Sequence, residues 1–273
     1  MMFRSLVFLI AVAVFLAACA VSPTGRSQLM LVSPDQAVKA STKAYPEKLK
    51  EYAEEGKLNN DPRLLERIRR ITGRLIVEAE QMYPQSRNWD WQVAVIDDPD
   101  TVNAWCMAGG KMAIYTGLIK QIKPTDDELA QVMAHEISHA LSNHVAEQMS
   151  VAMASQVGLA VLSATALKDS RYGTAALGGA ALAAMVAITL PYSRAAEEEA
   201  DRIGIEITAK AGYDPYAAAS LWRKMGQVNK SSPPELLSTH PSAENRVEVL
   251  QRLAPEMMKY YHPNERHLRY RFN

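Results

Sequence analysis

His135 and His139 stand four residues apart, with Glu136 directly after the first of them. On an α-helix that spacing puts both imidazoles on one face, a turn apart. Both can then reach a single ion at the bond length of about 2.1 Å that zinc takes to a histidine nitrogen. Glu136 projects beside the ion and is placed to take a proton from a zinc-bound water. The chemistry read from His135-Glu136-Ile137-Ser138-His139 is therefore metal-assisted hydrolysis, with Glu136 as the general base.

A catalytic zinc needs a third protein ligand and one open position. A glycine three residues after the second histidine and a third histidine three further on would supply that ligand from the same segment, but Ser142 and Val145 stand there. His144 falls nine residues after His135, about 180° round a continuous helix, so it is expected to point away from the metal in a structural or solvent-facing place. Glu147 shares that helix and cannot fold back. The remaining candidates lie in Ser193-Arg194-Ala195-Ala196-Glu197-Glu198-Glu199-Ala200-Asp201. An acidic cluster is ordinarily a solvated helix face. Glu197 and Asp201, however, share one face, which suits Glu197 to ligation and Asp201 to holding a ligand histidine by its other ring nitrogen. Glu198 and Glu199 remain alternatives.

The surrounding pattern supplies the elements that must position these groups. Ser33-Pro34-Asp35 and Asp61-Pro62 are helix starts, the second followed by Leu64, Leu65, Ile68, Ile71, Leu75 and Ile76 at helical spacing. Trp89 to Ile96, Asn103 to Met107 and Lys111 to Tyr115 read as strands, the last two joined by a Gly109-Gly110 turn, and are expected to form a small antiparallel sheet. Thr125-Asp126-Asp127-Glu128 is a capping box that opens a long helix carrying both histidines to about Gln148. Further helices are expected over about 193–210, from Asp214-Pro215 to about Val228, and from Ser242 to about Leu253. Between them run two Ala/Gly-rich apolar segments, Val151 to Leu167 and Thr174 to Leu190. Each is at the lower limit of length for a bilayer span and reads better as a helical hairpin: a lid, a dimer contact or a membrane-resting surface. The fold class is α+β, mainly helical.

At the N-terminus a single Arg4 precedes uninterrupted apolar sequence from Leu6 to Ala17, too short to span a bilayer and ending in Leu16-Ala17-Ala18-Cys19. This is the pattern of a signal peptide, and it resembles the lipobox of bacterial lipoproteins. Residues 1–18 are read as the signal peptide, Cys19 as the lipidated residue that anchors the chain to a membrane, 19–33 as a tether, 34–258 as the peptidase domain and 259–273 as a basic, aromatic tail. Ala20 in place of an Asp favours the periplasmic face of the outer membrane over the inner membrane. With Cys19 lipidated, Cys106 has no partner, so no disulfide supports the fold. The 273 residues carry 30 Lys+Arg against 30 Asp+Glu, and that balance excludes a nucleic-acid partner.

The HEISH motif followed by Glu197-x-x-x-Asp201 resembles the HtpX-like gluzincin metallopeptidases, which include the CAAX prenyl endopeptidases. Asn103-Ala104, Gly109 to Leu118, Ser193-Arg194, Gly212 to Pro215, and Ser238-Thr239-His240-Pro241 with Arg246 extend the likeness in the family's order over about residues 90–253. Length and lipobox place the chain nearest the family's small LoiP-like periplasmic lipoprotein proteases. The resemblance implies a gluzincin domain with its sheet beside the active-site helix and one zinc held by His135, His139 and Glu197. Asn103, Ala104, Gly109 and Gly110 would lie on an edge strand, either 103–107 or 111–115, that pairs with an extended substrate. His240 would stabilise the oxyanion or close the open zinc position, and Arg246 would order the acidic helix. It implies an endopeptidase acting on misfolded or misassembled envelope proteins, with the outer-membrane assembly machinery as a candidate partner. The alternative is a zinc-stabilised, chaperone-like lipoprotein that binds unfolded outer-membrane proteins with little cleavage.

Overall fold

A computed structural model describes residues 19–166, 187, 189–228, 235–240 and 245–272. The expected signal peptide, most of the second apolar segment, the linker around Ser231-Ser232-Pro233-Pro234, and Ser242 lie outside them. The described chain is mainly helical. It opens with strands β1 (Cys19–Val21) and β2 (Ser27–Leu29), followed by helices α1 (Pro34–Glu54) and α2 (Pro62–Met82). Both helices begin where the sequence marks them. Ser33 and Gln36 form a reciprocal capping box on α1, and the Asp61 carboxylate accepts from the Arg63 and Leu64 amides of α2. These contacts satisfy donors that a helix start leaves without partners. Ile68, Ile71, Leu75 and Ile76 line the buried face of α2.

Three strands follow: β3 (Gln92–Ile96), β4 (Ala104–Met107) and β5 (Lys111–Tyr115). The sheet order is β3-β5-β4, with β4 antiparallel to β5 and β3 parallel to it. The expectation of a wholly antiparallel sheet is thus corrected to a mixed one. Residues 97–103 carry the chain past the position beside β3, so the tight β4–β5 turn sets β5 in the centre. There it runs in the same direction as β3. Of the two strands offered as a substrate edge, 111–115 is therefore the central strand, and only β4 is an edge.

The site-bearing segment is also divided. Helix α3 (Asp126–Leu141) is capped by the Thr125/Glu128 box, with Glu128 further held by Ser220 and Lys224. Helix α4 (His144–Ala166) starts afresh, because Asn143 adopts the left-handed conformation at φ 58°. Asn tolerates that region where most residues do not. Helices α5 (Arg194–Lys210), α6 (Ala217–Met225), α7 (Glu235–Thr239) and α8 (Arg246–Met257) complete the set. Every residue of α3 from Glu128 to Leu141 is buried, between α2, β4, α5 and α6. Among the described residues no helix is long and apolar enough to cross a membrane.

The chain ends are less free than expected. The segment read as a tether contains the antiparallel β1–β2 hairpin, and the tail docks on α2, where the Tyr270 amide donates to the Gly73 carbonyl at 2.8 Å. Tyr270 and Phe272 pack against the main core.

Gly110 makes the β4–β5 turn at φ +76°, and a Cβ there would stand 2.2 Å from Trp91 Cε3. Gly110→Ala is expected to destabilise the protein by about 2–5 kcal/mol, combining the left-handed penalty with overpacking against the buried indole. Urea unfolding followed by circular dichroism measures it.

Candidate metal centre

Helices α3 and α5 bring together residues about sixty positions apart in the chain. Gly204 lets them approach: a Cβ there would lie 3.2 Å from the His135 amide nitrogen, so any larger residue would push α5 away from the histidines. The contact sets Glu197, in the first turn of α5, against His135 and His139. Nε2 of His135 and Nε2 of His139 are 3.1 Å apart. Glu197 Oε2 lies 3.3 Å from the first and Oε1 3.4 Å from the second. His240, just past α7, places Nδ1 3.3 Å from His135 Nε2 and 3.0 Å from Glu197 Oε1. One donor atom from each of His135, His139, Glu197 and His240 lies within 4.8 Å of the others, and all four residues are buried.

Nitrogen and oxygen donors about 2.0–2.1 Å from a tetrahedral zinc ion are separated by about 3.3–3.4 Å. The separations here, 3.0 to 3.4 Å, are close to the edges of such a tetrahedron. The donor chemistry, three imidazoles and a carboxylate, suits zinc as well, so the residues fit a metal ion. Glu136 Oε1 is buried beside them without a hydrogen bond, 3.4 Å from His240 Nε2.

A buried group of this polarity needs compensation. His135 Nδ1 is 3.0 Å from Asp201 Oδ1. Arg246, at the start of α8, donates through Nε and Nη2 to the two Asp201 oxygens at 2.7 and 2.6 Å and through Nη1 to Glu197 Oε2 at 3.2 Å. The guanidinium lies over the Trp222 ring, 3.4 Å from its centroid. Burial pushes the Glu197 carboxyl up. Its contacts with His135, His240 and His139 outweigh that and hold it well below the usual carboxylate range. Burial raises Glu136 as well, and there it prevails: the carboxyl stays above its ordinary value because the positive neighbours only partly oppose it.

Of the three adjacent glutamates, Glu197 faces the cluster, Glu198 is exposed and Glu199 faces His144. Asn103 is buried, and its Oδ1 accepts from the Ala104 amide at 2.8 Å. Gly109 and Gly110 sit in a turn against Val38 and Trp91. Cys19 begins β1.

His144 takes the structural one of its two expected places, and it is its direction that needs correction. It is buried, neither solvent-facing nor turned from the histidines, because the break at Asn143 cancels the 180° offset of a continuous helix. Its Nδ1 lies 2.9 Å from His139 Nδ1, and its Nε2 3.1 Å from Glu199 Oε2. Glu147, freed by the same break, pairs with Arg26. Tyr192 escaped sequence reasoning too: its ring stacks on His139 at 3.9 Å. The available signals were an Asn able to stop the helix and a Pro23-Thr24-Gly25 turn that could close a hairpin.

The sequence profile of Peptidase family M48 matches residues 62–254. Mitochondrial metalloendopeptidase OMA1 of Bos taurus is 33% identical over 248 residues, covering 88% of this chain and 46% of that protein. The OMA1 of Schizosaccharomyces pombe is 32% identical over 231 residues, 82% of this chain and 63% of that protein. The beta-barrel assembly-enhancing protease of Escherichia coli (strain K12) is 32% identical over 206 residues, 73% of this chain and 41% of that protein. The chain thus spans less than two thirds of the length of each of these relatives.

Arg246→Met would leave two buried carboxylates without their counter-ion. It is expected to cost about 3–5 kcal/mol, the usual consequence of removing one partner from a buried ion pair. Chemical denaturation of the metal-free protein measures this, and a loss below about 1 kcal/mol would show that the arginine is not the charge on which this side of the site depends.

Proposed function

The chain belongs to peptidase family M48, and from that premise we propose that it is a zinc endopeptidase in which His135, His139 and Glu197 hold the ion and Glu136 is the general base. The observation that carries the reading is the convergence of the three donor side chains, with the unbonded Glu136 Oε1 beside them. When bound, zinc supplies Lewis acidity toward a peptide carbonyl and toward water. Glu136 takes the proton from the attacking water and delivers it to the leaving amine; its burial, by favouring the protonated form, suits it to both halves of that transfer. Asp201 fixes the His135 ring by accepting from Nδ1, and Arg246 keeps Asp201 ionised while donating to Glu197.

His240 Nδ1 lies where a fourth ligand would, which supports its closing the site in this state. The Leu236 amide donates to the Val102 carbonyl at 3.2 Å, just before β4. An extended peptide that pairs with the β4 edge by main-chain hydrogen bonds therefore displaces residues 235–240, and His240 leaves with them.

We place the enzyme at the periplasmic face of the outer membrane, anchored through a lipid on Cys19, with misfolded or misassembled envelope proteins as substrates. The N-terminal sequence and the name of the Escherichia coli relative support this.

The test is cleavage of an unfolded outer-membrane protein, with zinc content measured in parallel. Glu136→Gln is expected to retain zinc and lose about 10²–10⁴ in kcat. Glu197→Ala is expected to lose zinc, and His240→Ala to retain it and cleave at least as fast as wild type on long substrates. Equal cleavage by wild type and Glu136→Gln would sink the mechanism. Binding without cleavage by either would favour the chaperone-like alternative.

A further inference from the structure

The second imidazole is held differently from the first. Asp201 contacts His135 directly, whereas His139 reaches its carboxylate through another histidine. With His139 Nε2 turned to the cluster, its Nδ1 carries the proton and donates to His144 Nδ1. His144 Nε2–H is then left to donate to Glu199 Oε2. One set of tautomers satisfies the whole chain of bonds.

Glu199 is itself buried, and what holds it comes from the N-terminal hairpin. Its Oε1 accepts from the Thr24 hydroxyl at 2.8 Å and the Thr24 amide at 3.3 Å, and its Oε2 accepts from Arg26 Nε at 3.0 Å. The two η nitrogens of Arg26 turn the other way, onto the Glu147 carboxylate of α4 at 2.9 and 2.6 Å. Gln28 Nε2 donates to the Ser142 carbonyl at 2.8 Å, at the break between α3 and α4, and to Glu147 Oε2 at 3.1 Å. Thr24, Arg26 and Gln28 alternate along one side of the hairpin. Gln28 closes on the break that brings His144 back to His139, and Thr24 and Arg26 hold the carboxylate that His144 meets.

We propose that the β1–β2 hairpin is a positioning clamp for the metal centre, with Arg26 fixing the Glu199–His144 pair that orients the His139 ring. The inference rests on the zinc reading above. Removing Arg26 leaves Glu199 and Glu147 without their shared cation next to a buried imidazole. The Glu199 carboxylate is then drawn toward solvent, and His144 loses the acceptor that fixes its tautomer. His139 can then rotate its Nε2 out of the cluster. Outer partners of this kind are worth about 10–100-fold in metal affinity. The clamp lies within about ten residues of Cys19, so whatever restrains the mature N-terminus also restrains the hairpin.

The test compares the full-length mature protein with its Arg26→Ala, Glu199→Gln and Thr24→Val variants. Zinc affinity is read by competition with a chromophoric chelator, the ligand geometry by the visible spectrum of the cobalt-substituted protein, and the fold by thermal unfolding of the metal-free form. Arg26→Ala and Glu199→Gln are expected to weaken zinc binding by about 10–100-fold and to shift the cobalt spectrum, and Thr24→Val by a few-fold. Arg26→Lys, which keeps the charge but loses the fork, is expected to recover part of the affinity. If Arg26→Ala does not fold, Thr24→Val and Arg26→Lys decide. Affinity within about twofold of wild type and an unchanged cobalt spectrum in the folded variants would overturn the clamp, even where the melting temperature falls. A wild-type protein that binds no zinc would instead overturn the reading on which the clamp rests.

Discussion

The packing of α5 on α3 at Gly204 is the constraint on which the rest of the structure depends. It sets a buried carboxylate against two buried imidazoles inside the core. Charges in such a place are costly unless each is paired and hydrogen-bonded. Much of the polar architecture follows from that need. α8 contributes a guanidinium, α6 provides the indole on which it lies, and Ser193 caps the helix that carries the carboxylates. The apolar shell around them keeps water from screening these contacts, so the same burial that costs stability also makes each contact strong.

The two histidines are supported from opposite ends of the chain. His135 is braced by Asp201 and Arg246 toward the C-terminal side, and His139 by His144, Glu199 and Arg26 toward the N-terminal side. Residues 62–254 match the family profile, yet Arg26 lies outside that stretch. The peptidase core therefore depends, through one ring, on a segment that a reading of the core alone would set aside as a linker.

What was legible in the sequence was local. The four-residue histidine spacing, the Thr125/Glu128 capping box, the Asp61 cap and the apolar stripe of α2 each depend on a few neighbouring residues, and each stands where the pattern puts it. The three adjacent glutamates show the limit. Helical geometry assigns their relative directions, but which one meets the histidines depends on how α5 is rotated against α3; the face shared with Asp201 gave Glu197 an edge, and the family resemblance singled it out. The break at Asn143 was not legible because Asn occurs in helices as well as at their ends. The helix expected to run on to Gln148 therefore hid the return of His144. The parallel pairing of β3 and β5 depends on the path of residues 97–103, and the N-terminal hairpin on partners more than a hundred residues away. No periodicity in the sequence records either.

The central claim is that His135, His139, His240 and Glu197 form one zinc site of imidazole and carboxylate ligands. X-ray absorption at the zinc edge of the purified, mature protein tests it most directly. The account predicts a first shell of nitrogen and oxygen only, at about 2.0–2.1 Å, with the outer-shell scattering of three imidazoles, falling to two in His240→Ala. A sulfur scatterer at about 2.3 Å, which would implicate Cys106, or imidazole scattering unchanged by that substitution, would contradict it.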